Sequence, residues 1–194
     1  MKEFEIRIGE HEIRLTDDHE LRLEEREDGV VRLSGYAALF NRLSVPLGGF
    51  REVIRSGAFA KGIKNPDIRA LWNHESGKVL GRQKNGSLQV WEDAKGLGFR
   101  VAIPNTTWGR DATETIRRGD VDQMSFGFRV PKGGDRWTEP NGENKDALRE
   151  LLDVELVEVS PVSFPAYPQT TVTLRDLVLS MAATEEEGSR GGPE

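Results

Sequence analysis

The chain of 194 residues has no cysteine and only three histidines, His11, His19 and His74. A cysteine nucleophile is therefore excluded, and an imidazole base is one of three. Ser125 is the best-placed hydroxyl. In Met124-Ser125-Phe126-Gly127-Phe128-Arg129-Val130, alternation puts Met124, Phe126, Phe128 and Val130 on one face of a strand and Ser125, Gly127 and Arg129 on the other. Gly127 lets another backbone or a ligand approach closely on the serine's side. His74 closes a strand through Leu71 and Trp72, in a polar loop with Asn73, Glu75, Ser76 and Gly77, where a general base could work. A serine–histidine pair also needs a third group to hold the imidazole's tautomer and stabilise the imidazolium that forms. Asp153, Glu155 and Glu158 are the carboxylates in question. Each residue also has an ordinary role open to it: Ser125 as a small filler in a half-buried strand, His74 as a surface histidine, Glu158 as half of a salt bridge.

Strand parity separates the carboxylates. Leu156, Glu158, Ser160 and Val162 are expected on one face, and Glu155, Val157 and Val159 on the other. Glu158 lies between two valines well inside the strand, where a carboxylate needs a partner. Asp153 and Glu155 are nearer its start and more easily solvated. His11 and His19 sit among charged residues, are expected to be solvated, and have no reason to approach His74. With no thiolate either, a metal site is not expected.

These residues need strands to carry them, and strands dominate the rest of the chain. Phe4–Ile8 and Glu12–Leu15 alternate around Gly9-Glu10-His11 as a hairpin. Leu21–Leu23 and Val30–Leu33 flank Asp28-Gly29, a two-residue turn signal, and the second of them can run on to Phe40. Ser56–Ile63 reads as one or two helical turns capped by Ser56. Ile68–Trp72, a strand from Leu80, Ser87–Trp91 and Leu97–Ile103 follow. Arg110–Arg118 is the best helix, ending on basic residues and Gly119 as a C-terminus should. Pro131–Asn144, rich in Gly, Pro and charge, reads as a long mobile excursion. Val154–Ser160 is a strong strand stopped by Pro161, and Leu174–Ala183 a short amphipathic helix. About eight to ten strands with two or three short helices predict a single, mainly β domain, closed or nearly closed as a barrel-like, mostly antiparallel sheet.

The length fits one domain. Residues 1–20 are expected to be an N-terminal strand or flexible extension, 21–183 the folded domain, and 184–194, acidic then glycine-rich, a disordered tail. The net charge of −6 argues against a nucleic-acid binder. No apolar run approaches the roughly 20 residues of a membrane span, and the N-terminus lacks the apolar core of a signal peptide.

Four blocks occur in order: Leu71-Trp72-Asn73-His74-Glu75, Val79-Leu80-Gly81-Arg82, Met124-Ser125-Phe126-Gly127-Phe128, and Leu156-Val157-Glu158-Val159-Ser160-Pro161-Val162-Ser163-Phe164-Pro165-Ala166. Together they closely resemble the prohead proteases of tailed bacteriophages, capsid-maturation serine peptidases thought to share their fold with herpesvirus assemblin. Gly57-Ala58-Phe59 and Gly96-Leu97 also fit, and the resemblance covers roughly residues 30 to 170. It implies that His74 is the catalytic histidine and Ser125 the nucleophile. Assemblin uses a second histidine as third member. This chain has none after position 74, so its third member should be acidic: Glu158 is the expected one, with Glu155 and Asp153 as alternatives. The oxyanion would need backbone N–H groups or an arginine, for which Arg149 is a candidate. The resemblance implies no cofactor and no metal. Substrates would be the phage scaffold protein, or the scaffolding segment of the major capsid protein, and the protease's own termini. They would be cut inside the assembling prohead in the bacterial host cytoplasm, with self-association as a dimer or larger form left open and neither nucleic acid nor membrane as partner. An inactive structural component of the prohead with the same fold is the alternative. An unrelated β-barrel binding module would make the four blocks a coincidence.

Overall fold

A computed structural model describes residues 12–16, 21–25, 29–141 and 145–163. In chain order its strands begin with β1 (Glu12–Thr16), β2 (Arg22–Glu25), β3 (Val31–Leu39) and β4 (Phe50–Ile54). There follow β5 (Arg69–Trp72), β6 (Glu75–Arg82), β7 (Leu88–Glu92) and β8 (Gly96–Ala102). Helix α1 (Thr107–Arg117) leads into β9 (Gln123–Arg129), β10 (Asp135–Thr138), β11 (Ala147–Leu151) and β12 (Glu155–Val162).

The strands form three separate sheets, of order β1-β9-β12-β5-β6, β2-β3-β8-β7 and β10-β11-β4. The barrel-like closure expected from the strand count is not present among the described residues. Alternation fixes which face of a strand is buried, but it does not say which strands share hydrogen bonds, so it cannot distinguish one closed sheet from three open ones. The three sheets bury one apolar core. Phe126 of β9 stands edge-on to Phe59 with ring centroids 5.6 Å apart and stacks on Phe128 at 5.2 Å. All three rings are fully buried, with Leu97 and Phe99 of β8 and Leu156 of β12.

β2 and β3 pair antiparallel with Leu23 opposite Leu33, as expected; of the turn between them, residues 26–28 lie outside the described residues. β1 pairs antiparallel with β9; the first strand of the expected Phe4–Leu15 hairpin and its turn lie outside the described residues. Ser56–Ile63 makes turns and a 3₁₀ segment at Gly62–Lys64 rather than helix. There the Glu92 carboxylate accepts from the N–H groups of Gly57 and Phe59, so a side chain from β7 does what a helical ladder would otherwise do. Among the described residues one α-helix is present, and it starts earlier than the sequence suggests because Thr106 caps it by accepting from Gly109 N–H. The predicted mobile excursion contains β10, paired antiparallel with β11. Trp137 holds it, with its ring 5.0 Å from that of Phe50 on β4. The helix expected at Leu174–Ala183 and the tail 184–194 lie outside the described residues.

Candidate active site

The five-stranded sheet carries all the candidate residues, on two of its strands and one turn. Ser125 lies on β9, Glu158 on the neighbouring β12, and His74 in the turn between β5 and β6. β12 runs between β9, with which it is antiparallel, and β5, with which it is parallel. The end of β5, where His74 sits, therefore lies close to the Glu158 side chain.

A bulge in β12 aims that carboxylate. Leu156 pairs with Phe128, and the next partner of β9, Gly127, pairs with Glu158, so Val157 is the extra residue. Phe128 and Gly127 are consecutive and face opposite ways. Leu156 and Glu158, although two apart, consequently face opposite ways too: Leu156 joins the core and Glu158 turns to the Ser125 side. The uniform parity that put these two residues on one face breaks at Val157. Beyond the bulge parity holds, with Ser160 opposite Ser125 and Val162 opposite Gln123. Bulges commonly re-aim a side chain in this way beside a site.

Gly127 then has a specific reason to be glycine. A Cβ there would stand 2.6 Å from Glu158 Oε1 and 3.2 Å from its Cγ. The carboxylate fills the volume that any other residue would occupy.

The turn that presents His74 is tight. Trp72 pairs with Glu75, leaving only Asn73 (φ 51°) and His74 (φ 60°) between β5 and β6. Both are left-handed, as a two-residue type I′ turn requires. The loop expected over residues 73–77 is thus a two-residue turn, with β6 resuming at Glu75. Asparagine tolerates this conformation, whereas for an ordinary side chain it costs roughly 1–2 kcal/mol. The neighbouring contacts hold the turn in place. Asn73 N–H donates to the Pro161 carbonyl (3.1 Å), its side-chain oxygen accepts from Ser163 N–H (2.8 Å), and its amide donates to Ser163 Oγ (3.1 Å).

His74 Nδ1 lies 2.6 Å from Glu158 Oε1, and Ser160 Oγ donates to Glu158 Oε2 at 2.5 Å. Facing a carboxylate oxygen, Nδ1 is the nitrogen that carries a proton, which in the neutral imidazole leaves the lone pair on Nε2. The pair is well shielded, with side-chain exposures of 18% for His74 and 9% for Glu158. Ser125 and Ser160 are fully buried. The other two carboxylates go elsewhere: Asp153 binds Lys61 at 2.5 Å, and Glu155 is exposed.

The Ser125 hydroxyl gives its proton neither to His74 nor to Ser160. It donates to the backbone carbonyl of Arg14 on β1, at 2.9 Å. Arg149, the candidate oxyanion group, is committed to Glu12 (2.5 Å), Asp135 (2.8 Å) and Glu52 (3.3 Å), tying β11 to β1, β10 and β4. Three participants escaped the sequence reading. Ser160 could have been found, since it sits two residues beyond Glu158 on the expected face. Asn73 precedes the histidine as the non-glycine residue that best tolerates a left-handed turn. Nothing in the sequence marks Arg14. Among the described residues, no group of three His, Asp or Glu could hold a metal ion.

The family model for the caudovirus prohead serine protease matches residues 18–186. Among solved structures, the bacteriophage T4 capsid assembly protease, gp21, is similar with a TM-score of 0.52 at 11% sequence identity, covering 79% of this chain and 97% of that one. At that identity the likeness speaks for the fold alone. No curated protein sequence matches.

Proposed function

This chain belongs to the caudovirus prohead serine protease family, and from that premise we propose that it is a capsid-maturation serine endopeptidase with Ser125 as nucleophile, His74 as general base and acid, and Glu158 as the third member. The observation that carries the reading is the shielded 2.6 Å contact between His74 Nδ1 and Glu158 Oε1 on the face of the sheet that bears Ser125. That contact leaves Nε2 as the basic nitrogen. In the proposed reaction Nε2 takes the Ser125 proton as Oγ bonds to a peptide carbonyl carbon. The carbonyl π electrons move to oxygen, and their return expels the amine, which leaves with the proton from Nε2. Water then enters by the same route and releases the acyl group. Glu158 keeps the imidazole in the required tautomer and stabilises the imidazolium in both halves, while Ser160 fixes the carboxylate through its second oxygen.

The proposed substrates are the scaffold protein or the scaffolding segment of the major capsid protein, together with the chain's own termini, cut inside the assembling prohead. A non-catalytic prohead component with the same fold is the competing reading. The observation on its side is the complete burial of Ser125. A fluorophosphonate separates the two. On the proposed reading the wild-type chain is labelled at one site, Ser125→Ala and His74→Ala are not, and both variants fail to process scaffold when co-expressed with it. Scaffold processing by Ser125→Ala at the wild-type rate would remove this serine from the mechanism.

A further inference from the structure

β1 lies antiparallel along β9 in a register that sets Arg14 opposite Phe126 and Leu15 opposite Ser125. The contact between the two strands at Ser125 is unusual in kind. A serine peptidase brings its nucleophile to the carbonyl of the residue on the amino side of the bond it cuts. Here the carbonyl that Ser125 Oγ meets, at 2.9 Å, is that of Arg14. The Arg14 side chain occupies a pocket of matching chemistry. Its guanidinium forms a two-pronged bond with Glu52, Nε to Oε1 at 2.7 Å and Nη2 to Oε2 at 3.0 Å, and lies 5.4 Å over the Phe128 ring. Glu52 is only 3% exposed. A buried carboxylate with its oxygens aligned to a guanidinium, beside an aromatic face, selects arginine over lysine and over neutral side chains. Two residues upstream, Glu12 is clasped by Arg149 at 2.5 and 3.0 Å.

We propose that the β9 edge is the peptide-binding strand of the site, that Glu52 and Phe128 form its pocket for an arginine whose carbonyl is attacked, and that β1 fills this edge in cis as a competitor of substrate. The proposal rests on the proposed function and adds the substrate's side-chain class and its binding mode. An incoming peptide would add to the sheet as a strand, taking main-chain bonds from β9 and side-chain selectivity from the pocket. β1 is bound unproductively, because Ser125 gives its proton to the Arg14 carbonyl and so cannot pass it to His74. A tethered strand of this kind competes at an effective concentration on the order of millimolar. Dilute peptides are excluded, and substrate packed at comparable density, as scaffold is inside a shell, gains access.

The test uses the full chain. In a Ser125→Ala background, a fluorescein-labelled peptide of residues 10–18 is titrated by anisotropy against the chain with and without Arg14→Asp, which sets a carboxylate against Glu52 and loosens β1. Expected are at least tenfold tighter binding with Arg14→Asp, loss of that binding when the peptide's own arginine is replaced by aspartate, and no gain from Arg14→Lys as large as that from Arg14→Asp. With Ser125 present, Arg14→Asp should react with fluorophosphonate at least tenfold faster than wild type. If Arg14→Asp lowers the melting temperature into the assay range, Arg14→Gln is read in its place, with the same direction expected. Equal peptide affinity with and without the loosened strand, or indifference to the peptide's arginine, overturns the proposal. Arginine-dependent binding in chains that never react with fluorophosphonate would support the strand site while sinking the serine peptidase reading.

Discussion

Replacing Gly127 by alanine tests the candidate site without touching any of its reactive groups. The new methyl carbon would arrive 2.6 Å from Glu158 Oε1, 3.2 Å from Cγ and 3.3 Å from Cδ. Restoring ordinary contact requires the carboxylate to retreat by about 1 Å. Retreat is confined, because Oε2 is held by Ser160 and Oε1 by His74. A shift of that size would stretch the 2.6 Å contact with Nδ1 beyond hydrogen-bonding reach. Misplacing a positioned group by about 1 Å costs on the order of 100-fold in rate. The expected outcome for Gly127→Ala is therefore a loss of about two orders of magnitude in kcat on a fluorogenic peptide, with KM little changed. The control is a double-mutant cycle. In a Glu158→Ala background the clashing carboxylate is gone, so Gly127→Ala should cost little more, and the two substitutions should be strongly non-additive. If Gly127→Ala kept its rate within about threefold, or cost as much without Glu158 as with it, the argument that the glycine exists to admit the carboxylate would fail.

Glu158→Gln keeps the shape of the side chain and removes its charge, so turnover should drop by orders of magnitude while Glu155→Gln and Asp153→Asn cost far less; a crippled Asp153→Asn or Glu155→Gln enzyme would move the third role to that residue. Asn73→Ala removes both side-chain bonds to Ser163 and leaves a poor left-handed residue beside His74, which should lower the melting temperature and also reduce kcat; a lower melting temperature with unchanged kcat would mean the turn does not position the imidazole. Burial works against ionising Glu12, but Arg149 and Arg14 outweigh it and hold its carboxyl below the ordinary value of 4.5. Its contribution to folding is therefore complete above that pH and is lost as pH falls through the lowered value. Hydrogen-exchange protection at residues 12–16, corrected for the intrinsic pH dependence of amide exchange, should persist from neutrality to pH 5 and fall only below 4.5, an acid response that Glu12→Gln abolishes; loss of protection between pH 7 and 5 would show that another group governs β1.

What the sequence disclosed here was local, and what it concealed was relational. Ser125 and Gly127 stood out because alternation around Phe126 is unbroken, and they do share the face on which Glu158 and Ser160 lie. The preference for Glu158 over Asp153 and Glu155 rested on shielding, and the three do differ in that respect. The uniform parity offered with that argument was wrong for Leu156, because a single unpaired residue, Val157, reverses every face upstream of it. A bulge leaves no mark in Glu-Leu-Val-Glu-Val. The excursion around Trp137 looked structureless because Gly and Pro surround a four-residue strand that is stable only through its pairing with β11 and the Phe50 ring. Three open sheets and one closed sheet likewise share the same strand count. The partner of β1 was hidden for a further reason: a strand of five residues carries no record of which edge, more than a hundred positions away, it will join.

The order of the site residues along the chain has a consequence for the cell that makes the protein. His74, Ser125 and Glu158 are contributed by strands that become neighbours only when β12 inserts between β9 and β5, and β12 is the last described strand. A nascent chain that has emerged from the ribosome only as far as β9 has no carboxylate for its imidazole. It also lacks the strand that lies between β9 and β5. Such late, non-local pairings form slowly, so, if the proposed triad acts, the host's own proteins would be spared by an intermediate that has a serine and a histidine but still lacks the carboxylate.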